Sequence, residues 1–322
     1  MKNINTVKSL QSLPVESYSS VMNKAVLMRF VDFLDVSDCT LRSYISGIRR
    51  LIEFLQCKGI TTPTRQDIIN FKRELTLNGK KPATVALYLS AIRRFFSWCE
   101  AEGLYSDITR GIKAPKQDKG HKKDFLDGGK IAAMLKGINR SSLEGKRNFA
   151  ILALMATCGL RTVEVVRANI EDIHVLGDIT VLNIQGKGKS DKKDFVKLSE
   201  PVIVAIREYL NERGQFKDME PLFASCSYRN RGKRLTTRTI SGLCKNAMRK
   251  TGFNSSRLTA HSLRHSAVTL ALMAGMELAD VQHFARHSNI QTTQIYAHNV
   301  DRMKSMCEAK ISEAIFSGRR MI

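Results

Sequence analysis

Residues 40–59 read "TLRSYISGIRRLIEFLQCKG", and residues 84–103 read "TVALYLSAIRRFFSWCEAEG". At a constant offset of 44, Thr40/Thr84, Tyr44/Tyr88, Ser46/Ser90, Ile48/Ile92, Arg49/Arg93, Arg50/Arg94 and Gly59/Gly103 coincide. Both copies space their apolar residues as a helix does, so they predict two similar helices, each with an apolar face and an Arg-Arg pair. Two copies are too few for a solenoid, which needs three or more stacked units. A small helical domain is expected instead, joined upstream by the helical pattern of "VMNKAVLMRFVDFL" (21–34), with Asp38 as a start signal for the second helix.

Downstream the pattern stops at "KAPKQDKGHKKD" (113–124), which holds Pro, Gly and five lysines without apolar periodicity. That composition predicts a basic linker. The second half is mixed. "KRNFAILALMATCG" (146–159) is apolar enough for a buried central helix ended by Gly159. "DITVLNIQGKGKSDKKDFVKL" (178–198) has two β-rich runs around a Gly/Lys/Ser turn, the mark of a hairpin. Helical patterns recur at 200–213, 237–251, 262–274, 278–285 and 302–316. The expected fold is mainly α with a small antiparallel β-sheet.

The 322 residues allow two domains of ordinary size, and 43% apolar with 25% charged residues suits a globular chain. Lys and Arg exceed Asp and Glu by 52 to 30. The excess is shared: 21 basic against 11 acidic residues up to 123, and 31 against 19 beyond. Charge carried by both globular halves points to a polyanion gripped by each. The seven scattered cysteines include no CxxC, which argues against a disulfide framework or a structural zinc site. The N-terminus lacks the apolar core of a signal peptide and no stretch is apolar enough to span a bilayer, so a soluble, cytoplasmic protein is expected.

Three motifs carry less than they suggest. "GKGKS" (186–190) ends like a phosphate-binding loop, but the required first glycine falls at Asn183 and the context is a hairpin. The pairs His261/His265 and His283/His287 have the i, i+4 spacing of metal ligands, yet neither has the adjacent Glu of the zincin signature. His265 and His283 are therefore read as helix-packing or surface residues. No metal and no cofactor are expected. More informative are "CGLRTVEV" (158–165), which places Arg161 just past the apolar helix, and "TAHSLRHSA" (259–267), where His261 and Arg264 point the same way on a helix. "HFARHSNIQTTQIYAHN" (283–299) then sets Tyr296 nine residues after His287, in a polar stretch that offers a tyrosine little packing.

Together these residues resemble the tyrosine recombinase (phage integrase) family, in particular its Xer-like members. Arg161 with Glu164, Lys187 in "QGKGK", His261 with Arg264 in "HSLRH", then His287 and Tyr296 match the family's pattern in order. There are two departures. Ala260 stands where Pro is common, and Arg286 stands where Gly usually precedes the second His, which puts the local backbone turn in doubt because Gly tolerates conformations that Arg does not. The resemblance implies an N-terminal arm (1–19), a helical core-binding domain (20–113), the linker (114–123) and a catalytic domain (124–322), arranged as a two-domain DNA clamp. It also implies a site-specific DNA recombinase acting as a homotetramer on paired half-sites of double-stranded DNA through a Holliday junction, with an accessory directionality protein as a further partner. A type IB topoisomerase or a non-catalytic DNA-binding protein would share parts of this pattern.

The chemistry is consistent with the resemblance. Attack on a phosphodiester loads charge on its nonbridging oxygens, which Arg161 and Arg264 suit by bidentate hydrogen bonding. His261 and His287 either donate to the same oxygens or handle the nucleophile's proton. Tyr296 is the expected nucleophile, placed for reaction with packing secondary, and it stores the bond as a 3′-phosphotyrosine. Lys187, preferred to Lys189, is the expected acid for the departing 5′-oxygen. Arg49, Arg50, Arg93, Arg94, Lys116, Lys122 and Lys123 are the expected DNA contacts outside the catalytic site. Met303, Cys307, Ile311 and Ile315 repeat at helical spacing in the tail, which either caps its own domain or docks on a neighbouring protomer.

Overall fold

The computed structural model describes residues 22–116, 124–186, 188 and 191–316. The expected linker lysines Lys122 and Lys123, both hairpin lysines Lys187 and Lys189, and the arm 1–19 lie outside the described residues. The chain divides into two compact units, Met1–Lys119 and Gly120–Ile322.

The first unit is helical: α1 (Lys24–Phe33), α2 (Asp38–Cys57), α3 (Arg65–Leu77) and α4 (Pro82–Ala101). The sequence repeat is a structural repeat, since α2 and α4 begin and end 44 residues apart. Ser37, one residue before the expected start signal, caps α2 by accepting from the Thr40 amide, while α4 starts with Pro82 in its first turn, where proline's missing N–H costs nothing. The two helices pack at matching small positions. A Cβ on Gly47 would lie 3.1 Å from Cα of Tyr88 and 3.3 Å from Cβ of Ala91, the residue at the equivalent place in the repeat. Their apolar faces close over Phe30, Leu51, Ile52, Phe95 and Phe96, all fully buried.

The second unit opens with α5 (Gly128–Lys136) and is centred on α6 (Leu143–Cys158). Residues 150–156 of α6 are buried without a break, as expected of a helix that is apolar all round. Next come α7 (Thr162–Arg167) and a three-stranded antiparallel sheet, β1 (Ile173–Leu176), β2 (Ile179–Ile184) and β3 (Asp194–Lys197), in the order β1-β2-β3. The β2–β3 hairpin matches the expectation, with Leu182 opposite Val196. Strand β1 was not anticipated; its burial pattern carries no alternation, with Val175 and Leu176 exposed.

The helices α8 (Glu200–Arg213), α9 (Thr237–Lys250), α10 (Ala260–Met273), α11 (Leu278–Ala285), α12 (Ile290–Lys304) and α13 (Cys307–Phe316) complete the unit. The single helical run expected over 302–316 is two helices. The backbone leaves the helical region at Ser305, whose side chain accepts from the Cys307 amide, so Met303 sits on α12 and Cys307, Ile311 and Ile315 on α13. No helix among the described residues is long and apolar enough to cross a membrane.

Candidate active site

The end of α6 fixes the first wall of the site. Gly159 adopts the left-handed conformation (φ 58°), which stops the helix and hands Arg161 to the position just before α7. Glu164, one turn into α7, has a fully buried side chain. Its Oε2 accepts the Arg161 backbone N–H at 2.7 Å and its Oε1 accepts Arg161 Nη1 at 2.8 Å. One carboxylate thus closes a capping turn and pins a guanidinium.

Helix α10 supplies the second wall, with His261, Arg264 and His265 on one face. Arg264 is only 1% exposed. Its Nη1 donates to the Gly159 carbonyl at 2.7 Å and its Nη2 to the Ala285 carbonyl. The guanidinium therefore ties the end of α6 to the end of α11 and is held in one orientation. Burial, then the neighbouring Arg161 and Arg286, loosens its hold on its proton.

The third wall is the α11–α12 connection. Arg286 caps α11 in the left-handed conformation, and His287 follows with Nδ1 2.9 Å from the Thr293 hydroxyl. Thr293 is fully buried, so it fixes the imidazole plane. Burial, then Arg264, Arg161, Arg286 and His261, pushes His287 down to about 4, which leaves it neutral near pH 7.

Tyr296 stands on the second turn of α12. Here the expectation that packing is secondary is corrected: Tyr296 is 4% exposed and packs with Val268, Val281 and Ala285. Most residues of the stretch are exposed, which makes it polar, while Tyr296, like Ala285 and Thr293, points inward. Its ring lies 5.1 Å from that of His265 and 6.1 Å from that of His287, and its hydroxyl is hydrogen-bonded to His265 Nδ1. Burial raises the phenol to about 12, against the pull of Arg264 and Arg161.

Arg161, His261, Arg264, His265, His287 and Tyr296 line one cavity of about 300 Å³. Five of these are residues the sequence singled out; Lys187 lies outside the described residues. The sequence alone marks His265 as a packing or surface histidine. It is buried, but its ring nitrogen meets the tyrosine hydroxyl, a role signalled only by its i+4 spacing from His261. His283 is exposed, as that reading allows. Among the described residues no three His, Cys, Asp or Glu side chains group as a metal ion would need. Fixed guanidiniums around a protonated phenol suit an anionic centre that the phenol oxygen attacks.

The arginines of the repeat fall into two classes. Arg49 and its counterpart Arg93 are half-buried, and Arg93 donates to the Ile112 carbonyl. Arg50 and its counterpart Arg94 are exposed, Arg50 paired with Glu53 at 2.9 Å and Arg94 lying over the Phe33 ring at 5.3 Å. Lys116 is exposed.

Residues 124–303 match the phage integrase family, and residues 27–103 match the phage integrase N-terminal SAM-like domain. Tyrosine recombinase XerD of Listeria monocytogenes is 30% identical over 286 residues, covering 84% of this chain and 92% of that protein. Tyrosine recombinase XerC of Haemophilus influenzae is 33% identical over 282 residues, covering 84% and 92% respectively. Among solved structures, the XerH site-specific recombinase bound to palindromic difH substrate, a post-cleavage complex, has a TM-score of 0.72 at 21% identity, covering 98% of this chain and 89% of that one. A sequence match across most of the chain, on a fold and pocket of this kind, shows that the chain belongs to the phage integrase family, among its Xer-like tyrosine recombinases.

Proposed function

We propose that this chain cuts and rejoins double-stranded DNA at a specific site, with Tyr296 as the nucleophile. The observation that carries the proposal is one phenol sharing one cavity with two guanidiniums whose own carboxylate and carbonyl partners hold them still. The Tyr296 oxygen bonds to phosphorus as the bond to the 5′-oxygen breaks, leaving a 3′-phosphotyrosine and a free 5′-hydroxyl. Because the phosphoester is kept, a second 5′-hydroxyl reverses the step on a new strand without ATP.

Arg161 and Arg264 hold the nonbridging oxygens. Arg264 spends one N–H of each terminal nitrogen on a carbonyl and keeps the others for the phosphate. His261 and neutral His287 donate to the same oxygens, and His265, hydrogen-bonded to the Tyr296 hydroxyl, receives its proton. Lys187 protonates the departing 5′-oxygen. A bridging sulfur at that position leaves without a proton, so it should restore cleavage by Lys187→Ala and not by Arg161→Ala.

The helical unit is the core-binding domain and the second unit the catalytic domain, both basic and both in contact with DNA, with the segment 114–123 linking them and an arm before residue 20. Arg50, Arg94 and Lys116, exposed, are the phosphate contacts best placed for exchange with DNA, and Arg49, Arg93, Lys122 and Lys123 complete the set. The protein acts in the cytoplasm as a tetramer through a Holliday junction, in mobile-element transfer or replicon-dimer resolution, with an accessory protein setting direction. A lambda integrase solved as a tetramer on a Holliday junction has a TM-score of 0.63 to this chain, which supports a fold compatible with that assembly. On α13, Ile311, Ile315 and Phe316 are 58%, 62% and 63% exposed, as a helix that docks on a neighbour would leave them in a single chain.

The test is a pair of reactions on one plasmid. Recombination that requires two copies of a defined site supports the proposal, whereas relaxation of any supercoiled plasmid without recombination would assign the chain a topoisomerase activity.

A further inference from the structure

Among the described residues, Arg286 is the one non-glycine residue with positive φ, at 53°. A Cβ is strained in that region, and glycine is the usual occupant of a helix end of this kind. The chain nevertheless places there a side chain with three backbone or carboxylate partners. The Arg286 side chain is 11% exposed. Its Nη1 donates to the Phe284 carbonyl at 2.8 Å, and its Nη2 lies 3.2 Å from both the Gly159 carbonyl and Glu164 Oε2.

Those last two atoms are the anchors of the two arginines that line the cavity. Glu164 holds Arg161 by its side chain and its backbone, and the Gly159 carbonyl holds Arg264. With Arg161 alone beside it, the buried Glu164 carboxylate would cancel that guanidinium, leaving it a weak partner for a phosphate. A second guanidinium on the same carboxylate takes up part of its charge. The net charge of Arg161, Arg264, Arg286 and Glu164 is then two positive, where a glycine at 286 would leave one.

We propose that Arg286 is a positioning residue: it shares Glu164 with Arg161, so that Arg161 keeps its charge for the scissile phosphate, and this advantage offsets the backbone strain of a left-handed arginine. The inference rests on the reading of the pocket as the recombinase site. Arg286 does not line the cavity, so it acts through Arg161 and Arg264 and not on the substrate.

The experiment compares Arg286→Gly and Arg286→Ala with wild type in single-turnover formation of the protein–DNA adduct, with Tyr296→Phe as the blank. Both variants lose the guanidinium, but only glycine relieves the strain. Each should cleave a phosphodiester on the order of 10–100-fold more slowly, the size of effect that follows loss of the outer hydrogen-bond partner of a metal ligand, while Gly melts higher than Ala. On a methylphosphonate at the scissile position, which lacks one charged oxygen, the deficit of both variants should shrink severalfold, because less positive charge is required. A merely structural arginine predicts otherwise: the two variants would slow in proportion to their melting temperatures, equally on both substrates. Wild-type cleavage of the phosphodiester by Arg286→Gly overturns the proposal. Absence of any adduct from wild type, or an adduct from Tyr296→Phe, overturns the reading of the site beneath it.

Discussion

The Tyr296 hydroxyl is hydrogen-bonded to Nδ1 of His265, a residue one helical turn beyond His261 on α10. A phenol raised to about 12 is protonated at neutral pH, so its proton needs an acceptor before the oxygen can attack, and His265 is the ring nitrogen already in contact.

His265→Ala should therefore slow adduct formation by roughly 10²-fold or more, as expected for loss of a positioned base, while leaving DNA affinity unchanged. Rapid-quench measurement of the covalent adduct checks this. An unimpaired rate would move the proton-handling role to His261 or His287.

Arg264 should matter for stability as well as chemistry. It is buried and satisfies the Gly159 and Ala285 carbonyls. Arg264→Ala leaves these acceptors without that partner and should cost about 1–3 kcal/mol, the usual penalty of an unsatisfied buried group. Urea unfolding of the second unit would measure it. A stability equal to wild type would mean that water replaces the guanidinium fully.

Much of this was legible before the structure. The offset repeat gave the 44-residue spacing of α2 and α4, with both ends of each helix placed two residues late, because apolar periodicity marks the packed face and not the cap. Arg161, His261 and His287 were readable because they sit at helix starts and ends that the chain marks with glycine and polar residues. The burial of Tyr296 was not, since its partners Val268 and Val281 come from two other helices and its immediate neighbours face water. Arg286 was visible only as a departure at a glycine position. Its partner Glu164 is 122 residues away, and no local pattern reports that distance.

His287 gives a pH signature. With burial and then Arg264, Arg161 and Arg286 holding it near 4, its ring protons should titrate by NMR well below the ordinary 6.5. Between those two values the unfolded chain binds a proton that the folded chain refuses, so this residue makes the protein less stable as pH falls through that window. Arg286→Gly should raise the midpoint while leaving it below 6.5, because burial remains. A midpoint at 6.5 in wild type would contradict the site's electrostatics.

The tail separates two roles. Ile311 and Ile315 are exposed, so Ile311→Ser with Ile315→Ser should leave the melting temperature of the monomer unchanged but reduce assembly on DNA and strand exchange. A lower melting temperature with normal assembly would make α13 a cap for its own domain.

The central claim is that Tyr296 becomes covalently joined to DNA. It is tested most directly by incubating the protein with a pool of nicked duplexes cut from the DNA around its own gene, isolating the protein-linked strands and mapping the linkage by tandem mass spectrometry. A 3′-phosphoryl nucleotide on Tyr296 is expected from wild type and none from Tyr296→Phe. Linkage at another residue, or equal linkage in Tyr296→Phe, would contradict it.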